Sequence, residues 1–121
     1  KQIGSDMDNI DLWCLKGYAL FRMERYREAL GVFNSALSID PNNTEVLESL
    51  AITYENLGKF DDAIKIYEKL LKLHPDSEKY INAKYDAEKL MFENKVKTDK
   101  RIVSPLLKEI TLYYKIKNIE I

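Results

Sequence analysis

One cysteine, one histidine, one tryptophan, three prolines and four glycines are all that this chain of 121 residues has of those types. A lone thiol, Cys14, permits no internal disulfide and fits a reducing, intracellular compartment such as the cytoplasm. So little glycine and proline, with 45% hydrophobic and 32% charged residues, excludes low-complexity disorder. No apolar run approaches the ~20 residues of a membrane span, and the opening KQIGSD lacks the apolar stretch of a signal peptide. A formal net charge of −1 supplies no strong pull toward nucleic acid or anionic membrane. Position 1 is not Met, which reads as a processed form or a piece of a longer chain. The length suffices for a single core.

What the chain does have is a repetition. Residues 26–43 read YREALGVFNSALSIDPNN and residues 60–77 read FDDAIKIYEKLLKLHPDS. Without a gap, Tyr26 lies over Phe60, Ala29 over Ala63, Phe33 over Tyr67, Leu37 over Leu71 and Pro41 over Pro75, an offset of 34 residues throughout. A period of that size marks an array of small structural units.

Two units follow, 10–43 and 44–77, after an N-terminal extension of residues 1–9. Helical spacing recurs twice in each. Trp13, Gly17 and Leu20 share one face, then Tyr26, Ala29, Phe33, Ala36 and Leu37 another. In the second unit Leu47, Leu50, Ala51 and Tyr54 precede Phe60, Ala63, Tyr67, Leu70 and Leu71. Each unit is therefore two helices, broken at Met23–Arg25 and at Leu57–Lys59. Gly58 admits the positive φ that ends a helix, and Asp61 and Asp62 suit the positive end of the next. Asp40-Pro41 and His74-Pro75 stop each second helix. Thr44 and Ser77 stand where N-caps belong. The small residues Gly17 and Ala51 are expected to face Ala29 and Ala63 and to let the paired helices approach.

These residues resemble the tetratricopeptide repeat, whose pattern runs W-x-x-L-G-x-x-Y, then Gly, an aromatic, Ala, an aromatic, Ala and Pro. The first unit supplies Trp13, Gly17, Tyr26, Ala29, Phe33, Ala36 and Pro41. The second supplies Leu47, Leu50, Ala51, Tyr54, Gly58, Phe60, Ala63, Tyr67 and Pro75. Departures are Lys16 for the motif's Leu, Leu20 for its Tyr, Glu24 for its Gly and Leu70 for its second Ala. The resemblance implies an all-α fold, a right-handed superhelical stack of antiparallel helix hairpins.

Beyond the second unit, residues 78–97 form a capping or third-repeat helix with two apolar stripes at ~100° per residue. Ile81, Tyr85, Phe92 and Val96 make one, expected to pack on the preceding repeat. Tyr80, Ala83, Ala87, Leu90 and Met91 make the other, on roughly the opposite side. Residues 98–121 comprise a linker and a C-terminal helix. The polar stretch Lys97–Arg101 reads as the linker, Ser104 as an N-cap and Pro105 as the first helical residue. Leu106, Leu107, Ile110, Tyr113 and Tyr114 share a stripe, and the terminal KIKNIEI suits a frayed end or an extended strand. The 104–116 helix is expected to cover the second stripe as a degenerate third hairpin. The alternative is docking on another copy or on a partner, so Tyr80, Ala87, Leu90, Met91, Leu106, Leu107, Ile110, Tyr113 and Tyr114 are candidates for tail docking or self-association.

The resemblance also implies a function. Family members bind partner peptides or helices in a concave groove lined by the first helix of each repeat. Carried over, the groove positions are Asp11, Cys14, Leu15, Tyr18, Phe21 and Arg22; then Glu45, Glu48, Ser49, Ile52, Glu55 and Asn56; then Lys79, Asn82, Ala83, Asp86 and Lys89. The family's clamp for the C-terminal carboxylate of heat-shock chaperones is largely missing. Its Lys is replaced by Cys14, its two Asn by Tyr18 and Ser49, and its Arg by Ala83; Lys79 alone matches. A carboxylate without paired donors is unfavourable there, so an acidic C-terminus is not the expected ligand. An apolar start (Leu15, Tyr18, Phe21, Ile52) and an acidic middle (Glu45, Glu48, Glu55) suit a segment with apolar anchors and Lys or Arg.

No chemistry is expected. His74 precedes Pro75 in a turn, Cys14 has no histidine near it in sequence, and Asp61 and Asp62 read as helix-dipole partners. No phosphate loop, Cys/His metal spacing or nucleophile elbow occurs in the sequence. The lysines of 79–101 are interleaved with Asp86, Glu88, Glu93 and Asp99, which leaves no basic stripe for nucleic acid. The reading is a protein–protein interaction module, scaffold or adaptor, with no cofactor, metal, membrane or nucleic acid. Its alternatives are homodimerisation through the C-terminal helices, or a regulatory piece of a larger multidomain protein.

Overall fold

A computed structural model describes residues 9–120, and every regular element among them is helical. The helices are α1 (Ile10–Arg22), α2 (Tyr26–Ile39), α3 (Thr44–Asn56), α4 (Phe60–Leu73), α5 (Glu78–Thr98) and α6 (Lys100–Glu120). No helix among the described residues is long and apolar enough to cross a membrane. The chain divides into two units after Glu88, within α5.

In the first unit α1 pairs with α2 and α3 with α4, and α2 packs on α3 to stack the hairpins. The breaks fall where the period places them. At each, one residue takes a left-handed conformation: Glu24 at φ 61° and Gly58 at φ 75°. The hydrogen bonds are the same in both repeats. The Glu24 and Arg25 amides donate to Phe21 and Leu20 carbonyls, as those of Gly58 and Lys59 do to Glu55 and Tyr54, each at 2.9–3.0 Å. Such paired bonds satisfy carbonyls at a helix end, and the left-handed residue they require costs an L-amino acid about 1–2 kcal/mol. Glycine relieves that strain but gives back part of it as unfolded-state entropy. Glu24→Gly is therefore expected to raise stability by about 0.5–1 kcal/mol, read as a higher urea midpoint at unchanged slope.

Asp40 stands in extended backbone at φ −138° before Pro41, and His74 before Pro75 has left the helical region at φ −137°, ψ 76°. The expected caps hold in one case of two. Ser77 Oγ accepts from the Tyr80 amide at 3.3 Å. At the start of α3 the cap is Asn43, whose Oδ1 accepts from the Val46 amide at 3.0 Å, and Thr44 is already helical. An asparagine side chain reaches the amide three residues on, and Thr44 Oγ1 lies instead 3.2 Å from His74 Nε2.

The core consists of two adjoining clusters. Ala29, Val32, Phe33, Ala36, Val46 and Leu50 centre the first, and Leu47, Ala51, Ala63, Tyr67, Leu70, Tyr80 and Ala87 form the second. Gly17 faces the ring of Phe33, which fills the space a Cβ would need, rather than Ala29.

On α5 the stripes are reversed from expectation. Tyr80 and Ala87 are buried in the second cluster with Ala83 packed beside them, whereas Ile81 is 48% and Tyr85 65% exposed. Two stripes of similar hydrophobicity are separated by size. Ala83 and Ala87 are small enough to pack in that cluster beside Tyr80, whose hydroxyl reaches Glu48. The face assigned to tail docking is thus already covered by the second repeat at Tyr80 and Ala87.

In the second unit the linker shrinks to Asp99. Its Oδ1 accepts from the Arg101 amide at 2.9 Å and caps α6, so the helix begins four residues before Ser104. Pro105 lies inside α6 rather than at its first position, and KIKNIE continues the helix to Glu120 in place of a strand. Ring formation at Pro105 removes one helical hydrogen bond from that turn. Leu90, Leu107, Ile110, Tyr113 and Tyr114 are exposed and Met91 partly so; the side chain of Leu106 lies outside the described residues.

Candidate functional site

Side chains from alternate helices meet on one face of the first unit. Tyr18 of α1 donates from its hydroxyl to Glu45 Oε2 of α3 at 3.1 Å and accepts from Ser49 Oγ at 3.1 Å. Glu48 of α3 accepts from the hydroxyl of Tyr80 and from Lys79 Nζ of α5, the latter at 3.1 Å. Helices α1, α3 and α5 therefore stand side by side, tied by a line of polar contacts. A third pair, Tyr67 Oη donating to Glu55 Oε2 at 2.5 Å, joins α4 to the far end of α3.

Glu45, Glu48 and Glu55, the acidic middle of the expected groove, are thus each held by a tyrosine hydroxyl. Such charge-assisted bonds fix a carboxylate in place without cancelling its charge. The phenols respond: burial first, then the bond to Glu48, pushes Tyr80 up to about 12. Burial and the bond to Glu55 push Tyr67 further above its ordinary range. Tyr18 is raised mainly by burial, with Ser49 acting against it. Glu48 is balanced by Lys79, while Glu45 faces solvent.

Between the carboxylates stand apolar side chains with room around them. Leu15 is 66% and Ile52 45% exposed, and one edge of Tyr18 is open while its ring packs edge-on to Phe33 at 6.0 Å. Arg22, Asn56, Asn82, Asp86 and Asp11 are exposed and Ser49 and Ala83 partly so. Two expected groove positions are occupied by packing. Phe21 joins the first core cluster and stacks edge-on against Tyr26 at 5.2 Å. Cys14 is buried, and burial followed by the charges of Glu45 and Asp11 raises its thiol pKa, the opposite of nucleophile activation. Lys89 falls in the second unit.

Sequence reasoning placed Tyr67 and Tyr80 in the core or at a tail contact and missed them as the groups that hold Glu55 and Glu48. The available signal was Tyr67 aligned with Phe33: a hydroxyl added to a buried ring requires a partner. Lys79, the one clamp lysine with a counterpart here, is engaged with Glu48. His74 Nε2 meets Thr44, and its ring tilts against Tyr80. Among the described residues no three His, Cys, Asp or Glu side chains are grouped to hold a metal.

The tetratricopeptide repeat family pattern matches residues 20–84, more than half of the chain. This chain is a tetratricopeptide repeat protein. Among its relatives is a TPR repeat-containing protein of Methanocaldococcus jannaschii, 41% identical over 61 residues that cover 50% of this chain and 11% of the relative. Intraflagellar transport protein 70A2 of Rattus norvegicus is 36% identical over 63 residues, 52% of this chain and 10% of that one. The Hsp70-Hsp90 organizing protein of Triticum aestivum is 32% identical over 60 residues, 50% and 10% respectively. The chain spans about a tenth of the length of these relatives. Tetratricopeptide repeats are protein–protein interaction modules, generally non-enzymatic scaffolds and adaptors.

Proposed function

We propose that the face of α1, α3 and α5 binds a partner-protein segment carrying apolar anchors together with Lys or Arg, most simply an amphipathic helix. The observation that carries this reading is the pairing of exposed Leu15 and Ile52 with carboxylates oriented by tyrosine hydroxyls. Apolar anchors supply affinity in such a site, and the fixed charges select the partner's sign and register. The same arrangement disfavours an acidic C-terminus, because Glu45 would repel it and Lys79 is already paired.

The test uses two designed amphipathic helical peptides, one patterned Leu/Lys and one Leu/Glu, titrated calorimetrically into the full chain. The Leu/Lys peptide is expected to bind and the Leu/Glu peptide not. Changing both Leu15 and Ile52 to Ser should weaken binding at least tenfold with circular dichroism unchanged, since both side chains are exposed. Equal binding of the two peptides, or binding indifferent to that double change, would sink the reading.

A further inference from the structure

The sixth helix shows an unpartnered face of its own. At ~100° per residue, Leu107, Ile110 and Tyr114 fall within a narrow arc, and each is at least half exposed. Lys108 and Lys115, seven residues apart, run along one flank of that arc, and Lys117 closes its far end beside Tyr113, its Nζ 5.7 Å from the ring centre. In all, α6 carries Lys100, Arg101, Lys108, Lys115 and Lys117 against Glu109 and Glu120. It is a basic helix with one apolar arc flanked by lysines, and Leu112 and Ile116, also exposed, lie on the opposite side. The face proposed above to bind a basic amphipathic helix lies on the same chain.

We propose that α6 of one copy docks on the α1–α3–α5 face of a second copy; this rests on the functional reading of that face. Charge is complementary: lysines flank the apolar arc of α6, while Glu45, Glu48 and Glu55 line the face beside Leu15 and Ile52. Length agrees as well. A helix of 21 residues spans about 31 Å at 1.5 Å per residue, and three helices side by side at 8–10 Å span about 25–30 Å. Tail-to-tail pairing is disfavoured by the same charges, because it sets Lys108 and Lys115 of one copy near those of the other. The apolar arc, Leu107 to Tyr114, also covers only about one heptad, short of the three or four of a coiled coil. Reciprocal exchange of tails closes a two-fold dimer.

The experiment is a charge swap in the full chain. Variant A carries Lys108→Glu and Lys115→Glu; variant B carries Asp11→Lys and Glu45→Lys. Sedimentation equilibrium from low to high micromolar should show wild type dimerising and A and B each associating at least tenfold more weakly. An equimolar mixture of A and B should regain wild-type association, because each variant keeps the half that complements the other's change. A monomeric wild type, a mixture without rescue, or B dimerising as wild type does each overturns the proposal. Zero-length carbodiimide cross-linking of mixed ¹⁴N and ¹⁵N wild-type chains tests it without any substitution. Isotopically mixed links from Lys108 or Lys115 to Asp11, Glu45 or Glu55 support it, and links confined to single chains overturn it. If wild type stays monomeric yet the Leu/Lys peptide binds, only this inference falls; if neither occurs, the functional reading falls with it. Tail-dependent binding of the monomer to vesicles containing phosphatidylserine would identify a membrane surface as the occupant instead.

Discussion

Placing alanine at position 17 is expected to cost the fold about 2 kcal/mol, although alanine is the better helix former by nearly 1 kcal/mol. The reason is Phe33. A Cβ at Gly17 would lie 2.4 Å from Cε1 of that ring and 2.8 Å from two more of its carbons. Phe33 is 1% exposed and packed among Ala29, Ala36, Val46 and Leu50, so it has no free rotamer to retreat into. Removing the ring is worse: Phe33→Ala should cost about 3–5 kcal/mol through the cavity it leaves. The informative measurement is the cycle with Phe33→Leu. If the ring is what Gly17 accommodates, Gly17→Ala should be nearly neutral in the Phe33→Leu background, giving a coupling above 1 kcal/mol in urea unfolding. Additive losses would mean that glycine serves some other purpose at this position.

Much of this packing was legible in the sequence because it is periodic. The 34-residue offset fixes which residues recur, and the two breaks and two prolines fall in register with it, so four helices and their ends follow from pattern alone. What the sequence left open came down to comparisons of size and reach. Both stripes of α5 are apolar, and it is the one carrying Tyr80, Ala83 and Ala87, with the Tyr80 hydroxyl bonded to Glu48, that packs on the second repeat. Ser104-Pro105 has the form of a helix start, but Asp99 supplies a cap earlier and the helix absorbs the proline. At the candidate site the acids on α3 were evident, whereas their phenol partners were not. Tyr67 and Glu55 are 12 residues apart on different helices, and Tyr80 and Glu48 are 32 apart. No local periodicity reports such pairings.

Those phenols give the chain an expected weakness in alkali. In the unfolded chain a tyrosine ionises near pH 10, whereas in the fold Tyr80 is held at about 12 by burial and by its bond to Glu48. Tyr67 is raised further for the same two reasons, with Glu55 as partner. Below pH 10 both states keep the proton and the stabilisation is fully present. Between pH 10 and 12 the unfolded chain has lost it and the folded chain has not, so unfolding releases protons and stability falls as pH rises. Tyr80 and Tyr67 both contribute to that loss, because both are raised in the fold. A fold of this size has only about 5–15 kcal/mol in total, so the urea midpoint should drop steeply across that window. The control is Tyr67→Phe with Tyr80→Phe. It should begin less stable at pH 8, because Glu55 and Glu48 lose a donor, yet lose less between pH 10 and 12 than wild type. Parallel declines in the two proteins would place the alkaline transition elsewhere and show that these hydroxyls do not hold the groove's carboxylates as the geometry requires.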